Sequence, residues 1–348
     1  MALVVSDSIK RAVESSADEE QQIVKKIRVG GEMVEVHPEF ERTSNLMSPT
    51  MMLTGHQAAV YSLQFDPSGQ NLASGSFDKT IMLWSVYGEC TNYNVLRAHK
   101  NAVLQVQWSP DGSRLISASA DRTIGLWDPN TGKLKKKLQA HSGVVNSCAF
   151  GRRGNDMVAS GSDDATLCVW DTRMRKPADV FECDYAVLAV GISKDNDQVF
   201  AAGLGEVVQV WDVRKGQVSL ELEGHHHTIT GMSLSPDGSY LLTNSMDNTL
   251  RQWDVRPFVQ GSRCSKVYTG LQHNFEQTLL RCGWSPSGEQ VASGSADRVV
   301  HVWDEMTTQE LYHLPGHTGS VNEVSFHPKE PIIGSCGSDK VIYLGELS

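Results

Sequence analysis

The chain has 348 residues, 40% hydrophobic and 21% charged, and carries a formal net charge of -10. This composition suits a globular protein able to bury a large core, and the acidic balance argues against gripping nucleic acid through a broad basic surface. The seven cysteines are odd in number, widely spaced and never arranged as Cys-x-x-Cys, so neither a disulfide framework nor a zinc site is indicated and no metal or cofactor is expected.

Residues 1–47 stand outside the pattern that governs the rest. Asp7 and Glu14 lie where a signal peptide would carry its apolar core, and no later run reaches the length of a membrane span, which predicts a soluble, intracellular, reduced protein. The stretch SDSIKRAVESSADEEQQIVKKIRV is strongly charged and reads as a flexible tail or docking arm that becomes helical only on a partner.

From residue 48 onward the chain repeats. Trp84, Trp127, Trp170, Trp211, Trp253 and Trp303 follow one another at intervals of 43, 43, 41, 42 and 50 residues, and five of the six precede Asp (Asp128, Asp171, Asp212, Asp254, Asp304). Six residues before each Trp stands Asp78, Asp121, Asp164, Asp247 or Asp297, with Gly205 the one gap; a seventh unit supplies Asp339, with Gly345 where Trp is due. Four residues before the Asp comes a hydroxyl, Ser74, Ser117, Ser160, Thr243, Ser293 or Ser335. Some 22 to 24 residues before it comes His56, His99, His141, His225, His273 or His317. Four markers in one register over a period of this length define seven supersecondary units.

Within a unit, AVYSLQFDPSGQNLASGSFDKTIMLWSV holds three runs rich in β-branched and aromatic residues, split by Pro-Ser-Gly and Asp-Lys-Thr turns. A fourth, outer strand lies between Trp-Asp and the next His, as in GKLKKKLQAH. A single four-stranded sheet cannot cover both its faces, so the units must pack as blades around an axis, and the fold class is all-β, a seven-bladed propeller over 48–348. The last unit ends at KVIYLGELS, one strand short. The segment 48–54, SPTMMLT, is expected to supply that strand and close the ring.

Ser, His and Asp together are also the residue set of a nucleophilic triad. An active site is built once, however, and this constellation recurs in six units. Buried polar groups cost a few kcal/mol each when unpaired, so a repeated and complete set reads as a structural relay. The fourth unit keeps Trp211 but has no His beside Asp184-Tyr185, Ala201 for the hydroxyl and Gly205 for the Asp, so it is expected to rely on packing. His225-His226-His227 reads as the loop His with two neighbours rather than a metal site. Lys133, Lys135, Lys136 and Lys137 read as edge-strand charges that discourage strand addition. No Gly-rich phosphate loop and no His-Glu-x-x-His are present.

Residues flanking the relay should project onto one end of the propeller. Tyr61, Phe77, Leu104, Leu188, Leu204, Met246 and Leu280 hold such positions, either as an apolar partner face or tucked against their neighbours. The insert VRPFVQGSRC places Arg256, Pro257 and Phe258 on a loop at the opposite end.

The Trp-Asp dipeptides and the His, Ser and Asp markers resemble the WD-repeat (WD40) family. That resemblance implies an internal hydrogen-bond network of the His, Ser or Thr, Trp and Asp of each blade. The segments VYGECTNY, VNSCAFGRRG, GSYLLTNSMDNTLRQWDVRPF, HNFEQTLLRCGWSPSGEQ and LPGHTGSVNEVSFHPKEPII are more specific. They resemble the family of forty-kilodalton WD-repeat subunits of the spliceosomal U5 small nuclear ribonucleoprotein. This closer resemblance implies a nuclear, non-catalytic scaffold in the U5 particle and tri-snRNP, acting in pre-mRNA splicing. It implies contacts to the large central protein, the helicase and the GTPase of the particle, at most peripheral RNA contact, no membrane, and a monomer within a large complex. Trp-Asp-x-Arg at Arg173, Arg214 and Arg256 supports an alternative, the substrate receptor of a cullin-type ubiquitin ligase. An enzyme would need one unique polar cluster.

Overall fold

The structure, a computed structural model, describes residues 25–29, 32–36, 42–154, 156–274 and 278–347, the first two segments by their backbone alone. It divides into two units, 1–42 and 43–348. In the first, Lys25–Val29 pairs antiparallel with Glu32–Val36. The end of the stretch expected to be helical is therefore a strand; the remainder of that stretch lies outside the described residues. The reason is local: in KKIRVGGEMVEV, Ile27, Val29, Val34 and Val36 alternate with charged residues on either side of Gly-Gly, a hairpin pattern rather than a helical one.

The second unit consists of seven four-stranded antiparallel sheets. Blade 1 runs from the inner strand Val60–Phe65 through Asn71–Ser76 and Thr80–Ser85 to the outer strand Asn92–Arg97. The inner strands of blades 2 to 7 are Val103–Trp108, Val145–Phe150, Val187–Ile192, Ile229–Leu234, Cys282–Trp284 and Val321–Phe326. In blade 7 the outer strand is Thr50–Leu53, paired with Ile342–Glu346 so that Leu53 faces Ile342 and Thr50 faces Gly345. Among the described residues no helix is long and apolar enough to cross a membrane.

One apolar cluster sits at each junction. Between blades 1 and 2, Ile81, Leu83 and Leu96 pack on Val103, Val106, Trp108 and Trp127. The ring-closing junction places Leu53, Ile332, Ile342 and Leu344 of blade 7 against Val60, Leu63, Leu72 and Trp84 of blade 1. Each sheet thus buries both faces, which an isolated blade cannot do.

Side chains of one inner strand also satisfy backbone amides of the next. Val106 N–H donates to Ser62 Oγ at 3.0 Å, Cys148 N–H to Gln105 Oε1 at 2.9 Å and Val190 N–H to Ser147 Oγ at 3.1 Å. At closure, Leu63 N–H donates to Glu323 Oε2 at 2.7 Å. The closing contacts also begin upstream of the strand. Thr43 Oγ1 and Ser44 N–H both donate to Glu346 Oε1 at 2.8 Å, and Asn45 Nδ2 donates to Glu330 Oε1 at 2.7 Å. These contacts belong to the compact unit 43–348.

Candidate functional site

The turn between the second and third strands is alike in every blade. The residue after the marker position is left-handed throughout: Lys79, Arg122, Ala165, Glu206, Asn248, Arg298 and Lys340 have φ between 59° and 76°. Where Asp precedes it, the carboxylate holds the turn by accepting the amide two residues on, as Asp78 Oδ1 does from Thr80 N–H at 2.9 Å.

The other oxygen of Asp78 meets the relay. Trp84 Nε1–H donates to Ser74 Oγ at 2.9 Å, Ser74 Oγ lies 2.7 Å from His56 Nε2, and His56 Nδ1 lies 2.8 Å from Asp78 Oδ2. A neutral imidazole fits all three contacts, taking the serine proton at Nε2 and donating Nδ1–H to an ionised carboxylate. Blade 2 repeats this with Trp127, Ser117, His99 and Asp121 at 2.8, 2.7 and 3.1 Å. Blade 3 uses Trp170, Ser160, His141 and Asp164 at 2.8, 2.8 and 3.3 Å, and blade 5 Trp253, Thr243, His225 and Asp247 at 2.8, 2.8 and 2.9 Å.

Charge on the pairs follows from this geometry. Burial alone would raise the carboxyls of Asp78, Asp121 and Asp247, but hydrogen bonds from His and Thr outweigh it and hold them far below the usual carboxylate range. Burial pushes His141, His225 and His317 down, against the pull of their Asp partners, and so keeps them neutral.

Blade 7 has His317 between Ser335 and Asp339, both at 2.9 Å. No Trp completes it; Tyr343 stands edge-on to His317, centroids 4.7 Å apart. Blade 4 has neither His nor acceptor. Its Trp211 indole N–H is buried and unpartnered, while the ring stacks on Phe181. Where the relay would sit is a pocket of 120 Å³ lined by residues that include Cys183, Tyr185, Ala201, Gly205, Gln209 and Glu221.

Blade 6 departs from the sequence reading. His273 meets neither Ser293 nor Asp297: its Nε2 lies 3.1 Å from Asn244 Oδ1 of blade 5 and its Nδ1 is buried without a partner. The cause is loop length. His56 precedes by seven residues Leu63, the residue opposite Ser74, whereas His273 precedes by nine Cys282, the residue opposite Ser293. Asp297 instead accepts from His301 Nε2, 2.9 Å away on the third strand, and Ser293 Oγ accepts from Asn244 Nδ2 at 2.9 Å. The signal was the second residue before Trp303, which shares its strand face.

The apolar positions also divide. Phe77 and Leu204 are 54% and 53% exposed, and Tyr61 stands edge-on to Phe77 with centroids 6.3 Å apart. Leu104 and Met246 are half-buried. Leu188 and Leu280 are buried at 9% and 0% exposure and belong to no exposed face. The Leu280 carbonyl accepts from Thr230 Oγ1 at 2.9 Å, because in the longer loop of blade 6 this residue turns toward blade 5. Tyr185, 60% exposed, was missed; it covers Gly205, where any Cβ would lie 2.7 Å from its ring.

Arg281 occupies the inner-strand position equivalent to Ser62 and Gln105. It donates from Nη2 to the carbonyls of Asn146 at 2.9 Å and Leu104 at 3.3 Å, and so ties blade 6 to blades 3 and 2. The loop after Trp253 carries Phe258, 97% exposed beside exposed Pro257. Arg256 donates to Asp254 Oδ1 from Nε at 3.0 Å and lies over the Tyr240 ring at 5.4 Å. Arg173 and Arg214 likewise pair with Asp171 at 2.6 Å and Asp197 at 3.1 Å. The Trp-Asp-x-Arg arginines thus brace their own blades. Lys135 pairs with Asp128 at 3.1 Å and Lys137 with Asp121 at 3.2 Å.

The WD domain, G-beta repeat family matches residues 47–85, 90–128, 132–171, 216–254, 264–304 and 308–344. The longest gap between matched repeats, 172–215, contains most of blade 4, where the markers are missing. The chain is similar to the U5 small nuclear ribonucleoprotein 40 kDa protein of Homo sapiens, 50% identical over 306 residues, 88% of this chain and 86% of that one. The protein of the same name in Dictyostelium discoideum is 49% identical over 308 residues, 88% and 87% of the two chains. Pre-mRNA-splicing factor cwf17 of Schizosaccharomyces pombe is 40% identical over 336 residues, 96% and 98% of the two.

Proposed function

Since the chain belongs to the WD-repeat family and, within it, to the family of U5 small nuclear ribonucleoprotein 40 kDa proteins, we propose that it is a non-catalytic scaffold subunit of the U5 particle, acting in pre-mRNA splicing in the nucleus. The observation that carries this reading is the extent of the match, half of all residues identical over 306 positions. That span takes in the blades that depart from the repeat as well as those that obey it. The recurring His, Ser and Asp support a scaffold rather than an enzyme, because in blades 1, 2, 3 and 5 each group is consumed by its neighbours and none is left to act on a substrate. The surface supports protein partners. Tyr61, Phe77, Tyr185 and Leu204 offer apolar area at the relay end, and Phe258 offers an anchor at the other. Partners of this kind are the large central protein, the helicase and the GTPase of the particle, with RNA contact peripheral.

Affinity purification of the tagged chain from nuclear extract tests this. U5 RNA and the large U5 proteins are expected to come down together. Recovery of a cullin and its adaptor without U5 RNA would replace the reading with that of a ligase receptor, which the self-paired Arg173, Arg214 and Arg256 do not favour.

A further inference from the structure

Blade 6 gave up the ordinary relay and in doing so gathered metal-binding side chains on its outer half. His301 lies on the third strand, Val299–Asp304, directly opposite His313 on the outer strand, Glu310–Pro315. Strict alternation would send Glu310 and His313, three residues apart, to opposite faces. The register shift between Val302 and Trp303 inserts one residue, so that Glu310 pairs with Trp303 and returns to the face that carries His301 and His313. One donor atom from each of His301, Glu310 and His313 falls within 4.8 Å of the others.

We propose that His301, Glu310 and His313 form a binding site for zinc(II) on the flank of blade 6. Two imidazoles and one carboxylate form a ligand set that zinc takes in open sites, with solvent in the fourth position. The outer shell is already built. His301 is 3% exposed in its side chain, lies flat against Trp303 with centroids 5.6 Å apart and 16° between planes, and points Nε2 at Asp297 from 2.9 Å. That is the carboxylate–histidine arrangement that fixes the tautomer and aims the other nitrogen at a metal. Its Nδ1 is 2.6 Å from Glu310 Oε1, and zinc would displace the proton shared there. Donors around tetrahedral zinc sit roughly 3.4 Å apart. The present spacing closes through rotation of Glu310 and His313, both exposed, against the fixed His301. The absence of Cys-x-x-Cys or His-Glu-x-x-His says nothing about such a site, because its ligands are joined across two strands and not along one.

The test uses the full-length chain stripped with chelator and titrated with zinc alone against a competing chromophoric chelator. One equivalent is expected to bind, with affinity at least tenfold weaker in His313→Ala and in Glu310→Gln, and about tenfold weaker in Asp297→Asn. His226→Ala/His227→Ala, which removes the histidine run beside His225, should leave it unchanged. Zinc should also raise the melting temperature of the parent and not of His313→Ala, each compared with its own metal-free form. Absence of a bound equivalent, or equal affinity in His313→Ala, would overturn the site and leave His301 as the partner of Asp297 and Glu310 alone.

Discussion

Trp211 and Phe181 stack with ring centroids 5.1 Å apart and only 11° between their planes, while the Trp211 indole N–H is buried with nothing to receive it. The equivalent N–H in blade 3 donates to Ser160; here the position is Ala201. Packing area substitutes for the relay, but at the cost of one unsatisfied donor.

Replacing Ala201 with Ser supplies that acceptor. The new hydroxyl can send its own proton to the carbonyl of Gln209, which stands opposite residue 201 on the paired strand. Ala201→Ser is expected to raise unfolding free energy by about 1 kcal/mol, measured by urea denaturation; an unchanged or lower midpoint would show that the indole is already satisfied.

Blade 4 should also open more readily than its neighbours. Amide exchange in Gln198–Gly203 and Val208–Asp212 is expected to run faster than in Met157–Ser162 and Thr166–Asp171 of blade 3, and to slow in Ala201→Ser. Equal protection in the two blades would mean that the Phe181–Trp211 stack fully replaces the relay.

What the sequence disclosed depended on how local the determinant was. Trp, Asp and hydroxyl positions lie within ten residues of one another on two paired strands and the turn between them, so counting places them. The loop His sits across a connection of variable length, and two extra residues before Cys282 sufficed to take His273 away from Asp297. Leu188 and Leu280 failed for the same reason, because a position counted from a loop does not fix the direction of a side chain. Arg281 was invisible because its acceptors, the carbonyls of Leu104 and Asn146, lie across the axis in blades 2 and 3. Tyr343 could not be anticipated either, since it takes the place beside His317 from a position two residues before the missing Trp.

The buried histidines and the turn aspartates should make the protein acid-labile in two steps. A buried histidine with a lowered folded value takes up its proton more readily when unfolded, so stability falls as pH drops below the unfolded value of roughly 6.5. His273, pushed down to about 4 by burial, should contribute most between pH 6.5 and 4, on the order of 3 kcal/mol. The aspartates are held below their ordinary values, so their stabilisation is complete above roughly pH 4 and is lost only at lower pH. Urea midpoints should fall between pH 8 and 4, and His273→Gln should flatten the segment between 6.5 and 4. A slope unaltered by that substitution would place the titration elsewhere.

Closure by the segment before Gly55 can be broken in stages. Glu346→Gln weakens the acceptor for Thr43 and Ser44 and should cost about 1 kcal/mol. Deleting 48–54 strips Leu53 from Ile342 and Leu344 and should cost about 3 kcal/mol or more, with a lower melting temperature and faster exchange in Ile332–Gly337. Unchanged melting after the deletion would mean that the ring closes without Thr50–Leu53.

Tyr61 and Phe77 form an edge-on aromatic pair that is held from below, since Phe77 N–H donates to the Ala59 carbonyl at 2.9 Å, and yet leaves Phe77 half exposed. A preorganised aromatic of this kind loses little side-chain entropy on binding, which is why such residues concentrate binding energy. The backbone at 77 is fixed by the turn, so Phe77→Asp with Tyr61→Ala should leave the fold within about 1 kcal/mol of the parent. It should weaken capture of the large U5 proteins from nuclear extract by tenfold or more. Phe258→Asp, at the other end of the ring, separates the two faces. If it abolishes capture while the double variant does not, the anchor is the loop after Trp253, and the apolar cluster around Phe77 is surface without a partner.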